Sequence, residues 1–131
     1  MPPSLIQTSH ARQSFLVRLS LLSVSSTHVH GFNLEFGRTV NYPVEAFSWS
    51  HHQTVPSLAE ARGLTQAALM GGINEGAIAK QSVAEISADI ASAAHEAGTR
   101  KLLIGPGCTV PPDTPYRLQE AARHAAHQIK V

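Results

Sequence analysis

The chain has 131 residues, of which 43% are hydrophobic and 15% charged, with a formal net charge of +1. That length suits one globular domain, the composition excludes a wholly disordered chain, and a near-neutral balance without a basic run gives nucleic acid no footing. No apolar run approaches the roughly 20 residues needed to span a bilayer, and one cysteine excludes an intrachain disulfide.

Residues 1–14 are polar with two early prolines and read as disordered. Residues 1–30 contain no Asp or Glu, carry Arg12 and Arg18, and are rich in serine, a composition shared with organelle transit peptides. The run Leu19–Val24 is short and broken by Ser20 and Ser23, which argues against a secretory signal. The simpler reading makes residues 1–26 a segment unrelated to a domain over 27–131, in a cytoplasmic protein. Phe15–Val24 fits a helix through positions 15, 16, 19 and 22 and a strand through 15, 17, 19 and 21, so periodicity leaves it open.

Ser26–His30 reads as a strand end closed by Gly31, and Val44–Trp49 as a second strand. Ser57-Leu-Ala-Glu60 is a capping box, so a short helix starts there and stops near Gly63. Ala67–Ile73 is a third strand candidate, with Gly71 and Gly72 read as turn glycines. Ser82-Val-Ala-Glu85 is another capping box. Behind it Val83, Ile86, Ile90, Ala94 and Ala97 recur at helical spacing, with Gly98 as the stop.

Leu102–Ile104 reads as a buried, central strand that breaks at Gly105-Pro106-Gly107. Thr114 fits an N-cap and Pro115 the first helical position. Leu118, Ala121, Ala122, Ala125 and Ile129 then line one helix face. The alternation of strands and helices from Ser26 onward predicts an α/β fold with a parallel sheet. The alanine-rich helices predict a thin core.

Chemistry-bearing side chains gather in few places. His28 and His30 are two apart, and on a strand such residues share a face. Cys108, the only cysteine, sits at the exit of a later strand. In a parallel α/β fold the C-terminal strand ends collect on one side. Two imidazoles and a thiolate there suit tetrahedral zinc with an open fourth position. His51 and His52, being adjacent, point opposite ways and read as a solvated loop. His124 and His127 sit in the last turn of the final helix, where they complement its dipole. The glycine pairs complete no phosphate-binding pattern.

Five blocks recur in a telling order: HVHG at His28–Gly31 with Asn33, YPVEAFSW at Tyr42–Trp49, PSLAEAR at Pro56–Arg62, ALMGGINE at Ala68–Glu75, and GPGCTVPPDTP at Gly105–Pro115. Together they resemble the C-terminal part of the uroporphyrinogen decarboxylase family, which includes zinc- and corrinoid-dependent methyltransferases. The resemblance implies part of a TIM-type (β/α)8 barrel. A whole barrel takes about 250 residues, so this chain would hold about half of one. It would then rely on a homo-oligomer or a partner that supplies the missing strands.

The leading activity the resemblance implies is cofactor-free decarboxylation of uroporphyrinogen in tetrapyrrole and haem biosynthesis. The alternatives are a zinc-dependent thiol or corrinoid methyltransferase, or a silent remnant that completes a barrel in trans. The substrate would be a tetrapyrrole or another small molecule, with Tyr42 a candidate contact. The methyltransferase branch ligates zinc with His-x-Cys and a later Cys. The matching positions here are His28, His30 and Cys108. Ser48 stands where the family often has an acid, and His51 and His52 stand where another tends to follow. Cys108 replaces a histidine of the decarboxylase branch.

Overall fold

The computed structural model describes residues 24–131. The expectations for residues 1–14, and for all but the last residue of Phe15–Val24, lie outside the described residues. Strands β1 (Ser26–His28), β2 (Ala46–Ser48), β3 (Ala68–Ile73) and β4 (Leu102–Pro106) form one sheet in the order β1-β2-β3-β4. All three pairings are parallel. Helices α1 (Leu58–Leu64), α2 (Val83–Ala97) and α3 (Tyr116–His127) alternate with the later strands, and short 3-10 turns occupy Phe36–Arg38 and Ile78–Lys80. The result is an α/β chain with a four-stranded parallel sheet, consistent with part of a barrel.

Strand register sorts the side chains into two faces. Phe47 is level with Leu69, and Leu69 with Leu102. These three pack with Trp49, Leu58, Ala61, Ala93 and Ala97 beneath α1 and α2. Ile73 and Ile104 join a second cluster with Ile86, Ile90 and Leu118 beneath α2 and α3. Aromatic bulk offsets the small helix residues, since Phe36 lies 4.6 Å from Trp49 and 5.6 Å from Phe47 between ring centroids. The opposite face carries His28, Ser48, Met70 and Leu103 in one register row.

Both capping boxes form. Ser57 accepts from Glu60 N and Ser82 from Glu85 N, while each glutamate accepts from the backbone N–H of its serine. Ser82→Ala should therefore destabilise the protein by about 1 kcal/mol, read as a lower urea midpoint with an unchanged slope. At the N-terminal end of the strands Arg62 donates to the carbonyls of Ala97, Ala67 and Lys101 at 3.0, 2.8 and 3.0 Å. One side chain thus ties the end of α2 to the starts of β3 and β4.

Four expectations change. β4 lies at the edge of the described sheet, not at its centre. Leu103 is 45% exposed, because the row it shares with Met70 faces away from the helices. Gly71 and Gly72 belong to β3 rather than to a turn. A Cβ on Gly71 would stand 2.7 Å from the His51 ring, and Gly72 has φ +106°. Close approach at one and backbone conformation at the other therefore explain this glycine pair. Finally α3 begins at Tyr116 with Pro115 as its N-cap. Thr114 is buried, and its hydroxyl donates to Pro111 O at 2.7 Å, closing the preceding turn instead of capping the helix.

Candidate metal centre

His28 ends β1, and His30 follows two residues later with its ring centroid 5.9 Å away. Both side chains are exposed. His28 Nδ1 and Ser48 Oγ are hydrogen-bonded at 2.9 Å. This contact follows from the register that sets His28 level with Ser48. It leaves Nε2 of His28 for a metal and fixes the ring's direction, as outer partners of metal-bound histidines do.

Cys108 has farther to travel. Its strand, β4, is separated from β1 by β2 and β3. Gly107 makes the crossing possible. A Cβ at that position would stand 2.5 Å from Trp49 O and 2.8 Å from Ser50 Cα. The chain leaving β4 therefore passes directly against the backbone leaving β2, where only glycine fits. Since Val29 N donates to Ser48 O at 2.8 Å, the exit of β1 lies alongside. The crossing delivers Cys108, partly buried, to the two histidines.

One ligand atom each from His28, His30 and Cys108 lie within 4.8 Å of one another. Tetrahedral zinc with bonds of about 2.0–2.3 Å needs ligand atoms about 3.3–3.7 Å apart, so the three side chains would have to draw together by about an ångström to bind it. Two imidazole nitrogens and one sulfur form the borderline-soft donor combination zinc prefers, and three protein ligands leave one position open. Among the described residues this is the one group of three or more His, Cys, Asp and Glu side chains with metal-binding spacing.

Next to His30 lies a cavity of about 130 Å³, lined in part by Val29, Phe32, Ser50 and Thr54. Of the three cluster residues, His30 alone lines it. An apolar cavity of about 340 Å³ between β4 and α3 is larger but shares no residue with the cluster. Tyr42 is half-exposed in the turn entering β2, at the opposite end of the strands from the cluster.

The loop after β2 corrects the reading of His51 and His52 as solvated. Both are partly buried with ring centroids 4.2 Å apart. His51 Nε2 accepts a hydrogen bond from Gly72 N at 2.9 Å, so the neutral ring is part of the fold. Burial, reinforced by the neighbouring His52, pushes its pKa down to about 4, with Glu96, Glu75 and Asp89 opposing.

An unfolded histidine titrates near 6.5, so between about pH 6.5 and 4 the unfolded chain binds the extra proton. The stability from neutral His51 is complete above pH 6.5 and declines as pH falls toward 4, by at most about 1.4 kcal/mol per pH unit. Urea midpoints should fall between pH 7 and 5 in the wild type, and less steeply in His51→Gln.

Glu75 leaves β3 beneath the Gly107 crossing and is 6% exposed. Neither of its carboxylate oxygens has a hydrogen-bond partner, nor has the buried His52 Nε2. Sequence reading passed over Glu75 because its one signal, burial, is not a sequence property. Comparisons with family models, curated proteins and solved structures returned no match.

Proposed function

We propose that this chain is the C-terminal part of a barrel similar to the uroporphyrinogen decarboxylase family, and that it belongs with the zinc-dependent thiol or corrinoid methyltransferases of that group. The observation that carries the proposal is the convergence of His28, His30 and Cys108 within 4.8 Å at the strand ends. When bound there, zinc supplies a positive centre that keeps a substrate thiol in its nucleophilic form. Cys108 provides the sulfur donor. Ser48 steadies His28, and the glycine crossing at 107 sets where Cys108 stands.

Cofactor-free decarboxylation stays the second reading: by the same resemblance, the arginines that would bind its carboxylates belong to the N-terminal half of the barrel, which these loops do not include.

The test is turnover by the purified full chain, alone and with a full-length relative of the decarboxylase family. The proposal expects about one zinc per chain and zinc-dependent methylation of a small thiol. Turnover of uroporphyrinogen by a zinc-free chain would overturn it. Zinc binding without either activity would favour the silent remnant.

A further inference from the structure

None of the strands Ser26–His28, Ala46–Ser48, Ala68–Ile73 and Leu102–Pro106 contains Asp, Glu, Lys or Arg. Outer strands usually carry charges, prolines or bulges that keep other strands away. Among the described residues β1 and β4 are the outer strands. In β4 the one such device is a proline at the last position. Its edge is therefore open to another strand.

The sheet is also uncovered on one side. Consecutive parallel strands joined by right-handed crossovers put every helix on the same face, here the face of Phe47, Leu69 and Ile104. Purely parallel sheets are otherwise found with both faces covered. The open face presents Met70 and, level with it on β4, Leu103 at 45% exposure. On the helix side of the same strand, the apolar cavity of about 340 Å³ separates α3 from β4. So β4 is under-packed on both faces as well as open at its edge.

We propose that a second copy of this chain docks here: β4 of each copy pairs in parallel with β1 of the other, so that two four-stranded sheets close one eight-stranded barrel. This rests on the partial-barrel part of the reading above and not on its zinc part. Three features favour a second copy over an unrelated partner. A two-fold axis along the barrel sets β1 of one copy beside β4 of the other in the parallel sense, and it pairs all four outer edges at once. Eight strands is the number at which a barrel interior is just filled by side chains. With no charged residue on any strand, closure takes no carboxylate, lysine or arginine from the strands into the interior.

The test is the mass of the purified full chain in solution, by sedimentation over a range of concentrations. The chain should run at about twice its 14.0 kDa. Leu103→Lys should raise the dimer dissociation constant at least about a hundredfold, because the closed interior would strand a lysine charge. The exposure of Leu103 lets the isolated chain accept that lysine, which an unchanged far-ultraviolet circular dichroism spectrum checks. Hydrogen exchange needs no variant: the amides of 26–28 and 102–105 should slow as concentration rises, and by more than those of α2.

A monomer at every concentration, open assemblies larger than a dimer, or a dimer that folded Leu103→Lys leaves intact would each overturn the inference. If the variant does not fold, exchange decides, and no slowing at the two outer strands overturns it. The cluster of His28, His30 and Cys108 lies within one chain. Loss of the dimer therefore leaves the zinc reading standing, and failure to bind zinc leaves the dimer standing.

Discussion

Replacing Cys108 with serine should strip the protein of zinc. Serine keeps the size and loses the soft sulfur, and a neutral hydroxyl is a poor ligand beside two imidazoles. Loss of an outer partner already costs 10–100-fold in metal affinity, so loss of a direct ligand should cost at least about a hundredfold. Zinc content measured after dialysis should drop from about one per chain to a small fraction. His28→Ala and His30→Ala should behave alike. The fold should tolerate the serine, since Cys108 is only partly buried and belongs to neither core cluster. A Cys108→Ser protein that keeps stoichiometric zinc would show that the sulfur is not a ligand.

Gly107→Ala should damage both the fold and the site. The added methyl would meet the Trp49 carbonyl oxygen at 2.5 Å and Ser50 Cα at 2.8 Å. Both are backbone atoms of a segment anchored by the fully buried Trp49, whose Nε1 donates to Pro56 O at 2.8 Å. Neither side yields cheaply, so the crossing must lift. Overpacking of this kind costs about 1–3 kcal/mol, visible as a lower denaturation midpoint.

The lift also carries Cys108 away from His28 and His30, so zinc affinity should fall together with stability. That joint loss separates Gly107→Ala from Cys108→Ser, which should lose zinc with its fold intact. If Gly107→Ala kept both, the crossing would not be what places Cys108.

Where sequence reading succeeded, the physics was local. The boxes at Ser57 and Ser82 name their helices because cap and partner lie three residues apart. His28 and His30 do come together, as their two-residue spacing implied, although β1 ends at His28 and His30 lies just beyond it. Leu102–Ile104, Ala67–Ile73 and Val44–Trp49 announce strands through short apolar runs; the structure extends the first by two residues, trims the second by one and cuts the third to half its length.

Where it failed, the cause lay at a distance. Gly71 is shaped by a histidine 20 positions earlier, and Gly107 by backbone more than 50 positions away. His51 looked solvated because adjacent histidines seldom share an environment, yet a bond to Gly72 N holds its ring. Leu103 looked buried because an edge strand with helices on one side cannot be told from a central one by hydrophobicity. Ser48 was read as a departure from an acid-bearing pattern, and the structure gives it a partner in His28.

X-ray absorption at the zinc edge of the purified full chain is the decisive measurement. Convergence of His28, His30 and Cys108 predicts one sulfur scatterer at about 2.3 Å with nitrogen or oxygen neighbours at about 2.0–2.1 Å. It predicts further that the sulfur shell vanishes in Cys108→Ser. A zinc shell with no sulfur in the wild type, or a chain that holds no zinc, would contradict it.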